Sequence, residues 1–316
     1  MRRAVNVIVS CASRKRFAPA PGLVVGGIRT ATLEDRLEVW RQRLRETRAE
    51  SCPALSMYMG DHWAVVKSLA AVNPSLHCTV WICSAGYGLI GPGTVIKSYR
   101  ATFRRGEPDY VAGGFEAEER GPQRWWNGLV TALPSRHSLP RSLRELATAA
   151  PKTPIIAALS NDYFYSVQED LAEVRSCPFF RTHLSVISCG TDESDPGWRD
   201  HLLPCDATLA AAVGGALTSL NVRVLRAVLA PLGEEPLTTE NLRSIAAGLD
   251  RSSRAVRPGE NMSTSAVMAY IGTALRTDPT ASKSRLLRRL RDEGKACEQK
   301  RFGRIFDSVK ETSGGG

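Results

Sequence analysis

Cys11 follows Ser10 where an apolar run ends, with Ser13, Arg14, Lys15 and Arg16 close behind it. Nearby cations favour the thiolate, the nucleophilic form of cysteine. Lys15 has two further readings, as a base that moves a proton or as a clamp on an anion. A second apolar run, Val80-Trp-Ile-Cys-Ser84, breaks off at Ala85-Gly86-Tyr87-Gly88, and so delivers Cys83, Ser84 and Tyr87 to a loop. A third ends in Ser188-Cys189-Gly190. Cysteine is among the most buried residue types, so Cys11, Cys83 and Cys189 each read equally as core. Only Cys11 is set apart, by its charged neighbours. Tyr58, Tyr87, Tyr99 and Tyr163 are able to donate hydrogen bonds or stack on a flat ring, and their plainer reading is packing. No Ser-His-Asp order, Walker loop, His-Glu-x-x-His helix or dinucleotide glycine fingerprint is found.

These residues need a frame that brings strand ends together. Residues 4–11, 78–84, 153–160 and 183–190 read as buried strands. Between them, 32–46, 62–71, 139–149 and 165–175 read as helices. In the first of these, Thr32 is the expected N-cap, and Leu33, Leu37, Trp40 and Leu44 form the apolar stripe. The alternation predicts an α/β fold with a mostly parallel or mixed central sheet flanked by helices. Ligands of such sheets sit outside the carboxyl ends of the strands, where Cys11, Ser84 and Cys189 fall. Residues 17–30 read as loop and 104–126 as a polar loop leading into a helix. Residues 205–231 read as a long helix broken at Gly214-Gly215.

The chain has 316 residues, enough for one large domain and a small one. The expected division is an α/β domain over 1–231, a linker over 232–262 with a short helix at 238–249, a basic helical domain over 263–310, and a disordered tail over 311–316. No apolar run approaches the ~20 residues of a membrane span. The short run at the N-terminus holds Asn6 and lacks a small-residue cleavage site, so a cytoplasmic protein is expected. Eight scattered cysteines, none in a Cys-x-x-Cys pair, are expected to be thiols there. His183, Cys189, His201 and Cys205 are metal-ligand types at a spacing that fits no known site, so no metal is expected.

The formal net charge is +10, which suits a protein that meets a polyanion. The charge concentrates in residues 281–310, with ten cations against four anions. Ser263, Ser282 and Gly294 punctuate this region into helices at about 265–276, from Ser282 to Gly294, and 297–309. Helix, short glycine turn and basic helix make the outline of a helix-turn-helix. The expected DNA contacts are Arg285, Arg288, Arg289, Gln299, Lys300, Arg301 and Arg304. The plainer reading is a solvated basic helix pair.

Ser10-Cys11-Ala-Ser13-Arg14-Lys15, Ala18-Pro19-Ala20-Pro21, Tyr58-Met-Gly60, and Ser84-Ala-Gly-Tyr87-Gly88-Leu89 with Pro92, Thr94 and Tyr99 together resemble the YaaA-like superfamily. Within it they are most similar to the DpdC-type proteins of 7-deazaguanine DNA modification systems. The likeness covers roughly the first hundred residues, with echoes at Ser160-Asn161-Asp162 and Ser188-Cys189-Gly190. Where a lysine is common before the tyrosine, this chain has Gly86.

The resemblance implies an enzyme that hydrates the nitrile of 7-cyano-7-deazaguanine in DNA to the 7-amido form. The expected catalytic residues are Cys11, Lys15, Ser84 and Tyr87: either the Cys11 thiolate adds to the nitrile carbon while Lys15 or a tyrosine protonates the nitrogen, or water attacks directly with the nitrile held by Ser84, Tyr87 and backbone amides. Ser10, Ser13, Arg14, Tyr58, Gly60, Gly88, Tyr99, Ser160, Asn161 and Cys189 would then line the substrate site. The implied partners are double-stranded DNA, with its modified base turned out of the stack, and the DNA transglycosylase of the same system. No cofactor is implied, and the cysteine claw of iron or cobalt nitrile hydratases is missing. Two other functions remain open: a DNA-binding stress-response protein without catalysis, and a hydratase of the free base.

Overall fold

The computed structural model describes residues 2–115, 120–131, 139–189, 196–250, 260–278 and 280–313. The chain divides into two units, residues 1–251 and 252–316.

The first unit holds strands β1 (Arg3–Ser10), β2 (Ser51–Pro53), β3 (Leu76–Ser84), β4 (Gly88–Ile90), β5 (Val95–Lys97), β6 (Ile155–Ala158) and β7 (Leu184–Ile187). Five of them form one sheet in the order β4-β3-β1-β6-β7, and β2 pairs with β5. All neighbours in the large sheet run parallel except β4, which turns back on β3. The register sets Ser10 opposite Cys83 and Val9 opposite Ala158, so three strand ends come level. Both faces of the sheet are covered, which is why these strands read as unbroken apolar runs. Val5, Val7, Ile8, Val9, Ile155 and Leu184 are fully buried.

The flanking helices are α1 (Leu33–Glu46), α2 (Asp61–Ser68), α3 (Gly121–Thr131), α4 (Leu143–Ala149), α5 (Asn161–Ser176), α6 (Leu220–Leu229) and α7 (Thr239–Ala247). Helices α1, α3, α4 and α5 pack as one group, and α2, α6 and α7 as another. Thr32 caps α1 by accepting the Asp35 N–H at 3.1 Å, and the expected stripe of Leu33, Leu37, Trp40 and Leu44 is buried. The expected break at Gly214-Gly215 is present, with φ of +67° and +80°. Helix α5 begins at Asn161, one turn ahead of the expected 165. Helix α7 buries Leu242 and Ala246 in the main core, so 232–250 belongs to the first unit instead of forming a linker. No single helix among the described residues is long and apolar enough to cross a membrane.

The second unit holds strands β8 (Glu260–Asn261) and β9 (Lys295–Ala296) and helices α8 (Thr264–Thr277), α9 (Lys283–Asp292) and α10 (Gln299–Ser313). Ser263 and Ser282 cap α8 and α9 as their positions suggest. Val267, Ile271, Leu286, Leu290, Phe302 and Phe306 form a separate core. The turn between α9 and α10 departs from the simple helix-turn-helix outline. Gly294 at φ +77° reverses the chain, and then β9 pairs in parallel with β8. The last helix runs on to Ser313, into the expected tail, and 314–316 lie outside the described residues.

One carboxylate ties α5 to the two helices packed on it. Asp170 accepts the N–H groups of Leu143 at 2.8 Å and Arg144 at 3.0 Å, and the Trp126 indole N–H at 3.1 Å. Removing it leaves these donors without a partner in a buried setting. Asp170→Ala is expected to cost roughly 3 kcal/mol, read as a fall in the urea midpoint. An unchanged midpoint would show that the three donors find other acceptors.

Candidate functional site

The strand order reverses at β1. The chain passes from β1 to β3 on one side, then returns to β6 on the other. A crevice opens at such a switch point, outside the carboxyl ends of the two strands. Cys11 leaves the end of β1 and Tyr163 lies in the first turn of α5, after β6. The Ser10 hydroxyl accepts the Ser160 N–H at 3.1 Å and holds the two ends together.

Cys11 is half-buried and its sulfur meets two phenols. The Tyr163 hydroxyl lies 3.1 Å from Sγ, and the Tyr99 hydroxyl donates to Sγ at 3.4 Å. Tyr99 Oη is also 2.7 Å from Ser84 Oγ and 2.9 Å from Tyr58 Oη. Burial pushes the phenols of Tyr58, Tyr99 and Tyr163 well above their ordinary value. They are therefore neutral hydrogen-bond donors at physiological pH. Lys15 Nζ stands 4.0 Å from the centre of the Tyr99 ring and 5.5 Å from that of Tyr58, and donates to the Ala12 carbonyl at 3.2 Å. Burial lowers the Lys15 pKa, the Cys11 charge opposes that shift, and Arg100 adds to it. A half-buried thiol, a cation of reduced basicity and a chain of neutral hydroxyls therefore share one crevice. Such a set can generate a nucleophile and deliver a proton.

Lys15 continues into an open pocket of about 320 Å³ that it lines with Ser13, Arg100, Thr102, Arg104, Glu107 and Asp109. A second pocket, of about 270 Å³, is lined by Phe103, Arg105, Pro122, Asn161, Asp162 and Tyr165. Phe103 of this second pocket meets Tyr163 edge to face, with ring centres 5.0 Å apart.

Local structure explains why Ser84 and Tyr99 meet. Ser84 Oγ accepts the N–H groups of Gly86 at 3.3 Å and Tyr87 at 3.1 Å, closing the turn after β3. The Trp125 and Trp40 indoles donate to the next two carbonyls, Ala85 at 2.8 Å and Gly86 at 2.9 Å. A Cβ on Gly86 would lie 2.6 Å from the Tyr99 ring, so any side chain there collides with that ring.

Other expected site residues are held by their neighbours. Ser84 is fully buried, with its hydroxyl against those of Tyr58 and Tyr99. The Tyr87 hydroxyl is bonded to the Lys97 backbone, accepting its N–H at 3.0 Å and donating to its carbonyl at 3.3 Å. Burial pushes that phenol up to about 12, so it is protonated at physiological pH, with its hydroxyl taken up by the Lys97 backbone. Gly60 (φ +101°) and Gly88 (φ +76°) are turn positions that precede α2 and open β4. Arg14 is exposed, and its carbonyl accepts the Met59 N–H. Cys83 is fully buried, and burial pushes its thiol far up. Cys189 contacts Cys205 and not the Cys11 cluster.

Other members of the site carry no strong sequence signal. The His62 ring lies 3.2 Å from the Ser10 carbonyl, and burial lowers its pKa. Arg100, Arg104, Glu107 and Asp109 belong to a stretch in which three arginines are followed by two carboxylates, a pattern that by itself says nothing of a pocket.

In the second unit, charge pairing thins the expected DNA surface. Arg285 pairs with Asp278, Arg289 with Glu293, and Lys283 with Asp307. The Arg301 guanidinium donates to the Met262 carbonyl and the Thr264 hydroxyl, each at 3.0 Å, and so fastens α10 to the start of α8. Arg288, Arg291 and Arg304 are exposed without an ion pair among the described residues. Gln299 is exposed, and the Lys300 side chain lies outside the described residues.

Gly86→Ala and Tyr99→Phe test the network. Tyr99→Phe keeps the ring and deprives buried Ser84 and Tyr58 of a partner, for an expected cost of about 1–3 kcal/mol. Gly86→Ala should cost as much through overpacking and should also change the rate at which iodoacetamide alkylates Cys11. An alkylation rate equal to wild type would mean that Tyr99 does not position the thiol.

Among models of known protein families none matches this chain, and no curated protein sequence matches it.

Proposed function

We propose that the first unit hydrates the nitrile of 7-cyano-7-deazaguanine in DNA, with the second unit holding the duplex. The resemblance of the Cys11, Tyr58 and Ser84–Tyr99 segments to DpdC-type proteins suggests the substrate. The observation that carries the chemistry is the Cys11 sulfur held by Tyr163 and Tyr99 beside Lys15.

The Cys11 thiolate adds to the nitrile carbon, and Lys15 gives a proton to the nitrogen, leaving a thioimidate. Water adds to that carbon while its proton passes to the nitrogen, giving a tetrahedral adduct. The carbon–sulfur bond then breaks, the thiolate leaves, and the hydroxyl proton returns to Lys15. The amide carries one added water and the enzyme is unchanged. Tyr163 and Tyr99 stabilise the sulfur whenever it is anionic, since burial keeps both phenols protonated. The base must leave the helix stack to reach the crevice. Arg288, Arg291 and Arg304 supply charge for the phosphates.

Incubating protein with DNA that carries the nitrile, then digesting to nucleosides, should reveal by mass a gain of one water. Cys11→Ser should abolish it. Lys15 titrates below its usual value, so as a proton donor it should lose activity as pH rises through that lowered pKa. Lys15→Arg should remove this alkaline limb along with most of the rate. Arg288→Glu with Arg304→Glu should weaken duplex binding and flatten its salt dependence. An unchanged nitrile with duplex binding retained would favour the non-catalytic DNA-binding protein. Hydration of the free base, with DNA left untouched, would favour the small-molecule enzyme.

A further inference from the structure

Cys189 and Cys205 lie apart from the Cys11 cluster, and nothing in the proposed hydration uses them. Their sulfurs are 2.8 Å apart. Among the described residues no other two cysteine sulfurs touch. The short ladder just before the two cysteines explains the closeness. Val186 of β7 donates its N–H to the His201 carbonyl at 2.8 Å, and its carbonyl accepts the Leu203 N–H at 2.8 Å. Cys189 lies three residues beyond Val186, and Cys205 two beyond Leu203, so both cysteines leave one ladder pointing the same way along the chain. Packing fixes the returning segment. The Trp198 ring meets Phe164 edge to face at 5.1 Å, with the Arg175 guanidinium 4.6 Å from its centre.

We propose that Cys189 and Cys205 form a reversible dithiol–disulfide pair that exchanges with small disulfides.

The two thiols have unequal roles. Cys189 is half-buried and Cys205 is buried, so an outside disulfide reaches Cys189 first. The hydrogen bond from Cys205 lowers the Cys189 thiol and raises its own, while Asp206 disfavours ionisation of both. In the first step the Cys189 thiolate attacks one sulfur of the oxidant, forms a mixed disulfide, and releases one thiolate. In the second, Cys205 gives up its proton and attacks the Cys189 sulfur. That forms the internal bond and releases the second thiolate. The protein loses two electrons and two protons, and the oxidant becomes two thiols. The second step is intramolecular between sulfurs already in contact, so it outruns accumulation of the mixed disulfide.

The test uses the full chain in glutathione buffers running from reduced to oxidised. Acid quenching, alkylation with N-ethylmaleimide and peptide mass mapping follow. The expected product joins the Cys189 and Cys205 peptides, is two hydrogens lighter than the dithiol, and keeps no glutathione. Exposed Cys177 serves as the internal control for adduct formation. Cys205→Ser should stop at the mixed stage, with glutathione retained on Cys189. The proposal is overturned if wild type holds stable glutathione on Cys189 without the internal bond. It is equally overturned if both thiols still alkylate under conditions that modify Cys177. The wild-type map decides the matter even if the variant does not fold.

Discussion

Everything near Cys11 depends on the reversal of strand order at β1. Two connections that leave neighbouring strands in opposite directions cannot cover the space between their exits. Here the gap lies between β1 and β6, and each strand delivers one reactive group to it. Cys11 comes directly off β1, and Tyr163 comes from the first turn of the helix after β6. Ser10 and Ser160 fasten the two exits to each other, so the thiol and the phenol are aligned by the sheet and not by a loose loop. A site on rigid elements holds its geometry without being ordered by a ligand.

The hydroxyl chain behind the thiol is a buried polar cluster, and such clusters are stabilising only when every member is satisfied. Tyr99 meets that demand for Ser84, Tyr58 and Cys11 together. Its ring can reach them because the turn beside it carries no side chain at Gly86. Two tryptophan indoles hold that turn by its carbonyls, so the large aromatic core and the small polar cluster share one set of contacts. Lys15 closes the arrangement over the ring face, where a cation is attracted to the aromatic quadrupole while losing water.

Much of this was legible in the sequence, and the gaps have identifiable causes. Strands β1 and β3 and helix α1 carry strong local signals: apolar runs, a threonine cap and a regular stripe. The start of α5 is faint in the sequence because Asn161, Asp162, Tyr163 and Phe164 make up its first turn, and none of these residue types is a strong helix former. Chain adjacency of Tyr87 to Ser84 says nothing about where its hydroxyl points; its partner is ten residues away in β5. Helix α7 reads as part of a linker in the sequence because its buried stripe is short, and Gly, Pro and Ser flank it. The charge of Arg301 is visible in the sequence, whereas the carbonyl and hydroxyl that its guanidinium meets are not. Cys11, Lys15, Tyr58, Ser84 and Tyr99 came from residue type and position, and the fold brought all five together.

The strap formed by residues 201–203 along β7 has a meaning apart from any cysteine chemistry. A strand at the end of a sheet offers unpaired peptide groups, and an apolar one invites a strand from another molecule. Leu184–Ile187 is such a stretch, wholly buried and without charge. The chain occupies its outer side with its own backbone at Val186, and at the opposite end of the sheet the three residues of β4 fold back over β3. Both margins of the sheet are thus closed by short segments of the same polypeptide. At each margin the outermost paired segment is a short piece of this same chain, which limits the run of free peptide groups that a strand from a second molecule could extend.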